Sequence, residues 1–218
     1  MHTIQLEILL RLIKTPGARY RDIRPKYIEG NRFMYHLNKV IEDGYVSKKG
    51  INYQLTSSGL EFAGRLSLKE QKIRIQPKIA TLIIAQADDG RYLLYQRKNE
   101  PFRGKTGFPY GKIHLGETVT GAARRELEEK TGLLGDVVHI GDAYVVTYEG
   151  EELISHMLFH AVRAKNLGGN IVENSEIGLC FWESVTSVDS SRFFPGFKEI
   201  FEAQKKKTHF FLEVEKYL

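Results

Sequence analysis

Residues 111–133, GKIHLGETVTGAARRELEEKTGL, form the segment that most restricts what this chain can fold into. A glycine-bounded loop runs into a helical pattern over residues 120–131, which Gly132 closes. Within that pattern Glu126 and Glu129 are three residues apart, so both carboxylates lie on one face of the helix. A surface helix held by salt bridges would also be rich in charge, but it would need neither the glycines nor the fixed loop spacing.

This segment resembles the Nudix box, G-x5-E-x7-R-E-U-x-E-E-x-G-U, where U is a bulky aliphatic residue. Eight of the nine fixed positions match in register, namely Gly111, Glu117, Arg125, Glu126, Leu127, Glu129, Gly132 and Leu133. The resemblance extends over about residues 78–205. It implies an α/β/α sandwich around a mixed sheet, and a protein that handles a nucleoside diphosphate linked to another group.

The resemblance also implies a metal-dependent site. Diphosphate oxygens repel a nucleophile, so divalent metals neutralise them and activate water. Because Mg²⁺ (or Mn²⁺) prefers oxygen ligands, we expect Glu126, Glu129 and the carbonyl of Gly111 to supply them. Arg125 is expected to bind Glu117 and so to hold the loop against the helix. The expected catalytic set is therefore Glu126, Glu129, Arg125 and Glu117.

Lys130 departs from the pattern, because the family has there the second Glu of its E-E pair, generally a principal metal ligand. An ammonium cannot bind Mg²⁺, and Glu128 lies about 160° away around the helix. Lys130 follows Glu126 by four residues in the order that favours an ion pair. We therefore expect weak or absent metal binding, with Lys130 holding a diphosphate without cleaving it. The alternative is that the remaining carboxylates still support slow turnover.

Two assignments lie outside the box. A downstream acid usually completes the metal site of the family, and Glu176, in the loop before Trp182, is the candidate, with Glu173 as second choice. Arg97, at the end of a predicted strand, is expected to contact a substrate phosphate together with Lys130. Plain surface solvation of Arg97 is an equally good interpretation.

Three other side chains are expected to be structural. His156 and His160 share a face of the predicted strand over residues 153–163, but no third metal ligand is evident beside them. The single cysteine, Cys180, lies in the apolar run GLCFW and is expected to be buried and inert. One cysteine excludes an internal disulfide and fits a reducing cytoplasm.

The charge of the chain is unevenly distributed. Residues 1–78 contain 15 Lys/Arg and 7 Asp/Glu, whereas residues 79–218 contain 17 and 20. A small basic unit joined to a mildly acidic one indicates that only the first faces a polyanion. The apolar N-terminal run is interrupted by Arg11 and Lys14, which fits neither a signal peptide nor a membrane span.

The first 65 residues read as three helices followed by a hairpin. The stretch FMYHLNKVIEDGYVSKKGINYQLTSSGLEFAG, residues 33–64, resembles the winged helix-turn-helix domains of transcription regulators. In that family the third helix enters the major groove and the hairpin touches the backbone or minor groove. The resemblance implies DNA contacts from the exposed helix face, its edge and the hairpin tip, that is, from Arg32, Tyr35, His36, Lys39, Lys48 and Lys49. The alternatives are a merely solvated basic face and a module that only pairs subunits.

The predicted organisation is a winged helix-turn-helix domain over residues 1–65, a linker over 66–77 and a Nudix-like domain over 78–218. Our leading hypothesis is a cytoplasmic, dimeric regulator in which a nucleoside diphosphate derivative bound to the second domain controls binding of double-stranded DNA by the first. The alternative is an active Mg²⁺-dependent hydrolase that cleaves the pyrophosphate bond of such a compound.

Overall fold

The computed structural model describes residues 1–70, 72–206 and 209–218. The chain divides into two compact units, Met1–Gln76 and Pro77–Leu218. Within the described residues, no helix combines the length and the hydrophobicity needed to span a bilayer.

Four helices and five short strands lie in the described part of the first unit. In chain order they are α1 Thr3–Lys14, β1 Ala18–Arg19, α2 Tyr20–Ile23, α3 Gly30–Glu42, β2 Val46–Lys49, β3 Asn52–Leu55, α4 Ser57–Gly64, β4 Leu66–Ser67 and β5 Lys72–Ile73. Strands β1, β3 and β2 form one antiparallel sheet in that order, and β4 pairs with β5. The predicted order of helices followed by a hairpin is therefore present.

Helix α3 contributes one apolar face to the core of the first unit. Phe33, Leu37 and Val40 are fully buried, as the spacing of three and four residues predicts. The helix begins at Gly30, and the residue before it, Glu29, makes no side-chain cap bond. The exposed residues of α3 include Arg32, Tyr35 and Lys39.

In the described part of the second unit lie the remaining eight strands and two α-helices. They are β6 Lys78–Ala85, β7 Tyr92–Arg97, β8 Thr106–Gly107, β9 Tyr110–Lys112, α5 Val119–Thr131, β10 Leu133–Glu149, β11 Glu152–Gly169, β12 Gly178–Glu183, α6 Phe197–Lys205 and β13 Phe210–Tyr217. Five strands form a sheet in the order β13-β10-β11-β6-β9, and three form a second in the order β12-β7-β8. The five-stranded sheet is mixed, because β10 runs parallel to β13 and β11 parallel to β6.

Strand β6 shows how the layers form. Its alternate residues belong to two different cores: Ile83 and Ala85 pack in the cluster that contains α5, whereas Leu82 and Ile84 pack in the cluster that contains α6. Since side chains alternate between the faces of a sheet, helices cover both faces. This confirms the predicted α/β/α sandwich and explains why β6 is apolar almost throughout.

Capping residues fix the limits of α5. The Thr118 side chain accepts a hydrogen bond from the amide of Gly121 at 3.1 Å. At the other end Gly132 takes the left-handed conformation, with φ +71°, that commonly terminates a helix. Ala123 and Leu127 are fully buried on the inner face. The side chains at positions 125, 126, 129 and 130 are thereby held at fixed places along one helix.

Candidate functional site

Arg125 is the centre of an ion-pair cluster on α5. Its Nε lies 2.7 Å from Oε1 of Glu117, and its second terminal nitrogen, Nη2, lies 2.8 Å from Oε2 of the same residue. Nη1 donates to Glu126 Oε1 at 2.8 Å and to Glu129 Oε2 at 3.1 Å. The structure therefore contains the expected Arg125–Glu117 pair and adds the two helix glutamates to it. One guanidinium joins all three carboxylates.

Glu117 connects the loop to the helix. Besides binding Arg125, its Oε2 accepts a hydrogen bond from the backbone amide of His114 at 2.8 Å. The hydrogen bonds from Arg125, followed by that from the His114 amide, lower the pKa of Glu117 to about 2. Arg125 also donates to the carbonyl of Lys112 at 3.0 Å. The loop is thus fastened to α5 at two points.

Gly111 provides the space that Glu126 occupies. A Cβ atom built on Gly111 would lie 1.7 Å from Cδ of Glu126, so no other residue fits without displacing that carboxylate. Glu126 is only 7% exposed, although it is charged. The first glycine of the motif is therefore required by the close approach of a buried carboxylate to the backbone.

Lys130 occupies the other side of Glu126. Its Nζ lies 3.5 Å from Oε2 of Glu126, and both side chains are mostly buried, at 15% and 9% exposure. The ammonium also lies 5.4 Å from the centre of the Tyr95 ring, within the range of a cation–π contact. The carbonyl of Lys130 accepts a hydrogen bond from the thiol of Cys180 at 3.2 Å. The predicted ion pair with Glu126 is present.

These contacts decide whether the acids fit a divalent cation. Both oxygens of Glu126 already face a cation, Oε1 the guanidinium of Arg125 and Oε2 the ammonium of Lys130. Glu129 is shared with Arg125 as well. Mg²⁺ needs carboxylate oxygens that are free to approach to about 2.1 Å. As they lie, Glu126, Glu129 and the Gly111 carbonyl do not fit a firmly held divalent ion.

The loop before β12 lies beside Tyr95. The hydroxyl of Tyr95 donates to the carbonyl of Ile177 at 2.7 Å, and Lys98 binds Asn174 and the carbonyl of Ser175. Glu176 is exposed in this loop, and among the described residues no ion pair joins it to the Arg125 cluster. Its assignment as a metal ligand stays a prediction.

A cavity of about 280 Å³ opens on the α6 side of the five-stranded sheet. Aromatic side chains form much of its wall: Phe102, Phe108, Tyr110, Phe159, Phe194 and Phe197. Three cationic residues, Lys78, Arg97 and Lys112, also line it. Because Lys112 also binds Arg125 through its carbonyl, the cavity adjoins the carboxylate cluster. Aromatic faces together with cationic side chains suit a planar ring that carries negative charge.

Arg97 is oriented by its own loop. Its guanidinium donates to the carbonyls of Asn99 and Glu100 at 2.8 and 3.2 Å. It also donates to the hydroxyl of Tyr110 at 3.3 Å. Burial raises the pKa of Tyr110, so this phenol remains neutral. Arg97 thus lines the cavity as an oriented cation, which agrees with its predicted place but leaves its role a prediction.

In the first unit, five of the six residues predicted to contact DNA are exposed. These are Arg32, Tyr35, Lys39, Lys48 and Lys49. The ammonium of Lys39 lies 3.5 Å from a carboxylate oxygen of Glu42 and 3.3 Å from one of Asp43. These carboxylates partly neutralise the charge that Lys39 presents at the surface.

The sixth predicted DNA contact, His36, needs correction. It is only 8% exposed, and its ring stacks on that of His2 at 4.2 Å. His36 follows Phe33 by three residues and so continues the buried face of α3. It belongs to the packing of α1 against α3 and not to the exposed surface.

Comparison with known proteins gives the family. The NUDIX domain family matches residues 76–212, which is more than half of the chain. The chain belongs to the NUDIX family. The match begins at the boundary between the two compact units and covers nearly the whole second unit.

Two curated proteins illustrate the relationship. An ADP-ribose pyrophosphatase of Methanocaldococcus jannaschii is 38% identical over 77 residues, which are 35% of this chain and 45% of that protein. An oxidized purine nucleoside triphosphate hydrolase of Danio rerio is 36% identical over 100 residues, 46% of this chain and 62% of that protein. The chain thus spans about half to three fifths of the length of these relatives.

Solved structures agree on the fold. A MutT protein from Bacillus halodurans superposes with a TM-score of 0.54 at 23% identity, over 63% of this chain and 89% of that one. The NUDIX domain of Shewanella oneidensis NrtR, complexed with ADP ribose, gives a TM-score of 0.50 at 16% identity, over 69% and 97% of the two chains. At these identities the likeness establishes the fold alone.

Sequence reasoning missed two parts of the site. Tyr95 lies beneath Lys130, yet in the sequence it is only one apolar residue of strand β7. The aromatic cavity is assembled from residues far apart in sequence, and only their abundance could have drawn attention to them. Cys180, in contrast, is buried as predicted, and burial raises the pKa of its thiol to about 11. At that pKa the thiol is not a nucleophile at neutral pH.

Proposed function

We propose that this protein binds a nucleoside diphosphate derivative in its NUDIX domain, hydrolyses it poorly, and uses its occupancy to regulate DNA binding by the first unit. The ion pair of Lys130 with Glu126, at 3.5 Å, carries the proposal. Lys130 stands at the position where the family has a carboxylate that binds the metal. A fixed ammonium attracts a diphosphate electrostatically but cannot activate water as a metal does.

The cavity supports the nucleotide part of the proposal. A nucleobase would stack on the aromatic walls, near Phe194 and Tyr110, and stacking accepts any base because each has a π-face. Arg97 and Lys112 would then attract the diphosphate, with Lys130 as a third cation on the α5 side. ADP-ribose is the first ligand to test, since it is bound in the structure of the NrtR domain and named for the Methanocaldococcus relative.

The first unit supports the DNA part. Its order of helices and hairpin suits a winged helix-turn-helix domain, with α3 as the recognition helix and the β2–β3 hairpin as the wing. Arg32 and Tyr35 on α3 would approach base edges, and Lys48 and Lys49 would bind phosphates. Residues 1–78 carry the excess of positive charge that such a surface requires. DNA-binding proteins of this kind commonly act as dimers, and we extend the proposal to a dimer.

The alternative function, an active Mg²⁺-dependent hydrolase, is favoured by one observation. Eight of nine motif positions are retained, including the close packing of Gly111 against Glu126. For this function, the ammonium of Lys130 would have to leave Glu126 so that an ion could approach. The two functions therefore differ in whether Lys130 stays in place.

One experiment separates the two. The full chain is incubated with ADP-ribose, dinucleotides, sugar nucleotides and oxidised purine triphosphates in the presence of Mg²⁺ or Mn²⁺, and products are separated by chromatography. Binding of the same compounds is measured by calorimetry. We expect saturable binding of at least one compound with little product. Ordinary enzymatic turnover would favour the hydrolase, and the absence of any binding would reject both.

The regulatory part needs its own measurement. Fluorescence anisotropy of labelled double-stranded DNA is recorded with and without the bound compound, over a series of salt concentrations. We expect affinity that falls steeply with salt and that changes when the compound is added. DNA affinity that is unaffected by a compound known to bind would separate the two activities and reject the coupling.

A further inference from the structure

Strands β10 and β11 carry a cluster of potential metal ligands outside the carboxylate site. His139, Asp142 and His160 each offer one donor atom, and these three atoms lie within 4.8 Å of one another. None of them belongs to the Nudix box or lines the aromatic cavity. The proposed function assigns no role to these three side chains.

A β-bulge brings the three residues to one face. Asp142 and His160 are direct cross-strand partners, so their side chains point to the same side of the sheet. His139, three residues before Asp142, would point to the opposite side in a regular strand. The register shifts between His139 and Gly141, and the extra residue turns the ring of His139 back toward Asp142.

The neighbouring strand holds the bulge in place. Gly141 pairs with Phe210 of β13, and a Cβ on Gly141 would lie 2.5 Å from the Phe210 carbonyl oxygen. His209 directly precedes that strand, and its Nε2 lies 3.1 Å from Nδ1 of His139. The cluster on β10 and β11 is therefore flanked by a third strand, β13, and the sheet sets the spacing of all three strands.

The donor atoms already converge on one carboxylate oxygen. Oδ1 of Asp142 lies 2.8 Å from Nε2 of His139 and 2.7 Å from Nδ1 of His160. All three side chains are about one quarter to one third exposed, which leaves access for an ion.

We propose that His139 Nε2, Asp142 Oδ1 and His160 Nδ1 bind a divalent transition metal, with zinc as the preferred ion. Two imidazoles and one carboxylate form a donor set that zinc accepts, and a water molecule completes four-coordination. With Zn–N and Zn–O bonds of about 2.1 Å, the ligands of a tetrahedral ion are about 3.4 Å apart. The contacts of Asp142 Oδ1 with the two histidines, at 2.8 and 2.7 Å, need to open by about 0.6–0.7 Å to reach that spacing.

His209 supports the ligand set without joining it. When His139 binds a metal through Nε2, its Nδ1 carries the proton and donates to Nε2 of His209. Such a bond fixes the tautomer and orientation of a metal-binding histidine. The three donor atoms lie within 4.8 Å of one another and so form the ligand set of a single ion. One ion per chain is therefore expected.

Calorimetric titration with Zn²⁺ tests the proposal. The titration uses the full chain carrying Glu126→Gln and Glu129→Gln, so that the carboxylates on α5 do not contribute to zinc binding. We expect one zinc ion per chain in that background, and visible absorption bands of a four-coordinate site when Co²⁺ replaces zinc. Adding Asp142→Asn should weaken zinc binding by about tenfold or more, as loss of a ligand requires.

A matched control is His156→Gln, a histidine of the same strand β11 that lies outside the cluster. It should leave zinc affinity and the Co²⁺ spectrum unchanged. Circular dichroism establishes that each variant is folded. Zinc binding that survives both Asp142→Asn and His160→Gln in folded protein, or no stoichiometric binding in the parent, would mean that the cluster is only a hydrogen-bonded group and would overturn the proposal.

Discussion

The carboxylate of Glu126 occupies the space where a side chain on Gly111 would begin. The Cβ of any other residue at position 111 would lie 1.7 Å from the Glu126 carboxyl carbon. On its other sides the same carboxylate faces Arg125 at 2.8 Å and Lys130 at 3.5 Å. Glu126 is thus enclosed by backbone and two cations.

Gly111→Ala should destabilise the protein through Glu126. We expect the free energy of unfolding to fall by about 1–3 kcal/mol, as for other overpacked sites. Urea denaturation measures this loss. In a Glu126→Ala background the clash is absent, so the same substitution should cost much less. An equal cost in both backgrounds would show that the close contact does not limit position 111.

Glu117 should make stability depend on pH in the acid range. Its pKa is about 2 in the folded protein, against an ordinary value of 4.5, so it stabilises the fold above pH 4.5 and loses this effect as the pH falls toward 2. Glu117→Gln removes the titrating group. Between about pH 6 and pH 3 the wild type should lose more stability than this variant.

The matched control for this measurement is Glu128→Gln, an exposed glutamate on α5, the helix that follows Glu117. Its pH profile should follow that of the wild type. If the stability of the wild type and that of Glu117→Gln change with pH in parallel, the Arg125–Glu117 pair is not a source of acid sensitivity.

The aromatic wall of the cavity is where we expect the nucleobase of the ligand to stack. Phe194 lines it and packs edge-on against Tyr110, with ring centres 5.7 Å apart. If a base stacks there, Phe194→Ala should weaken ADP-ribose binding by about 1–3 kcal/mol, or about five- to 150-fold. Inorganic pyrophosphate has no base, so its affinity should not change. A similar loss for both ligands would indicate general damage to the site.

The hairpin lysines make a prediction about DNA. Removing Lys48 and Lys49 together should weaken binding to all duplex sequences and lower the slope of log affinity against log salt by about 2. The control is a double Ala variant at Lys165 and Lys198, exposed lysines of the second unit, with the same change in net charge. If both double variants behave alike, only total charge matters and the hairpin is not an interface.

Features of this structure that depend on residues close together in the sequence could be predicted from it. Helix α5 was predicted within one residue, because Thr118 and Gly132 are local caps whose effect does not depend on the rest of the fold. The ion pair of Lys130 with Glu126 followed from helical spacing alone. Such features are encoded within one or two turns of chain.

Other features depend on distant partners and were missed or misread. His36 was expected at the edge of an exposed face, although its spacing from Phe33 already places it on the buried one; its partner, His2, is the residue that caps α1. His160 was expected to lack further ligands, because the bulge that turns His139 toward Asp142 leaves no mark in the sequence. Strand β13 was also missed, although its alternation of burial is regular.

The most direct test of the central claim is turnover after replacement of Lys130. The wild type, Lys130→Glu and Lys130→Met are incubated with ADP-ribose and Mg²⁺, and mononucleotide release is followed by chromatography. We expect little product from the wild type or from Lys130→Met, which removes the charge without adding a ligand, and clear Mg²⁺-dependent turnover from Lys130→Glu. Rapid turnover by the wild type, unchanged in Lys130→Glu, would contradict the account.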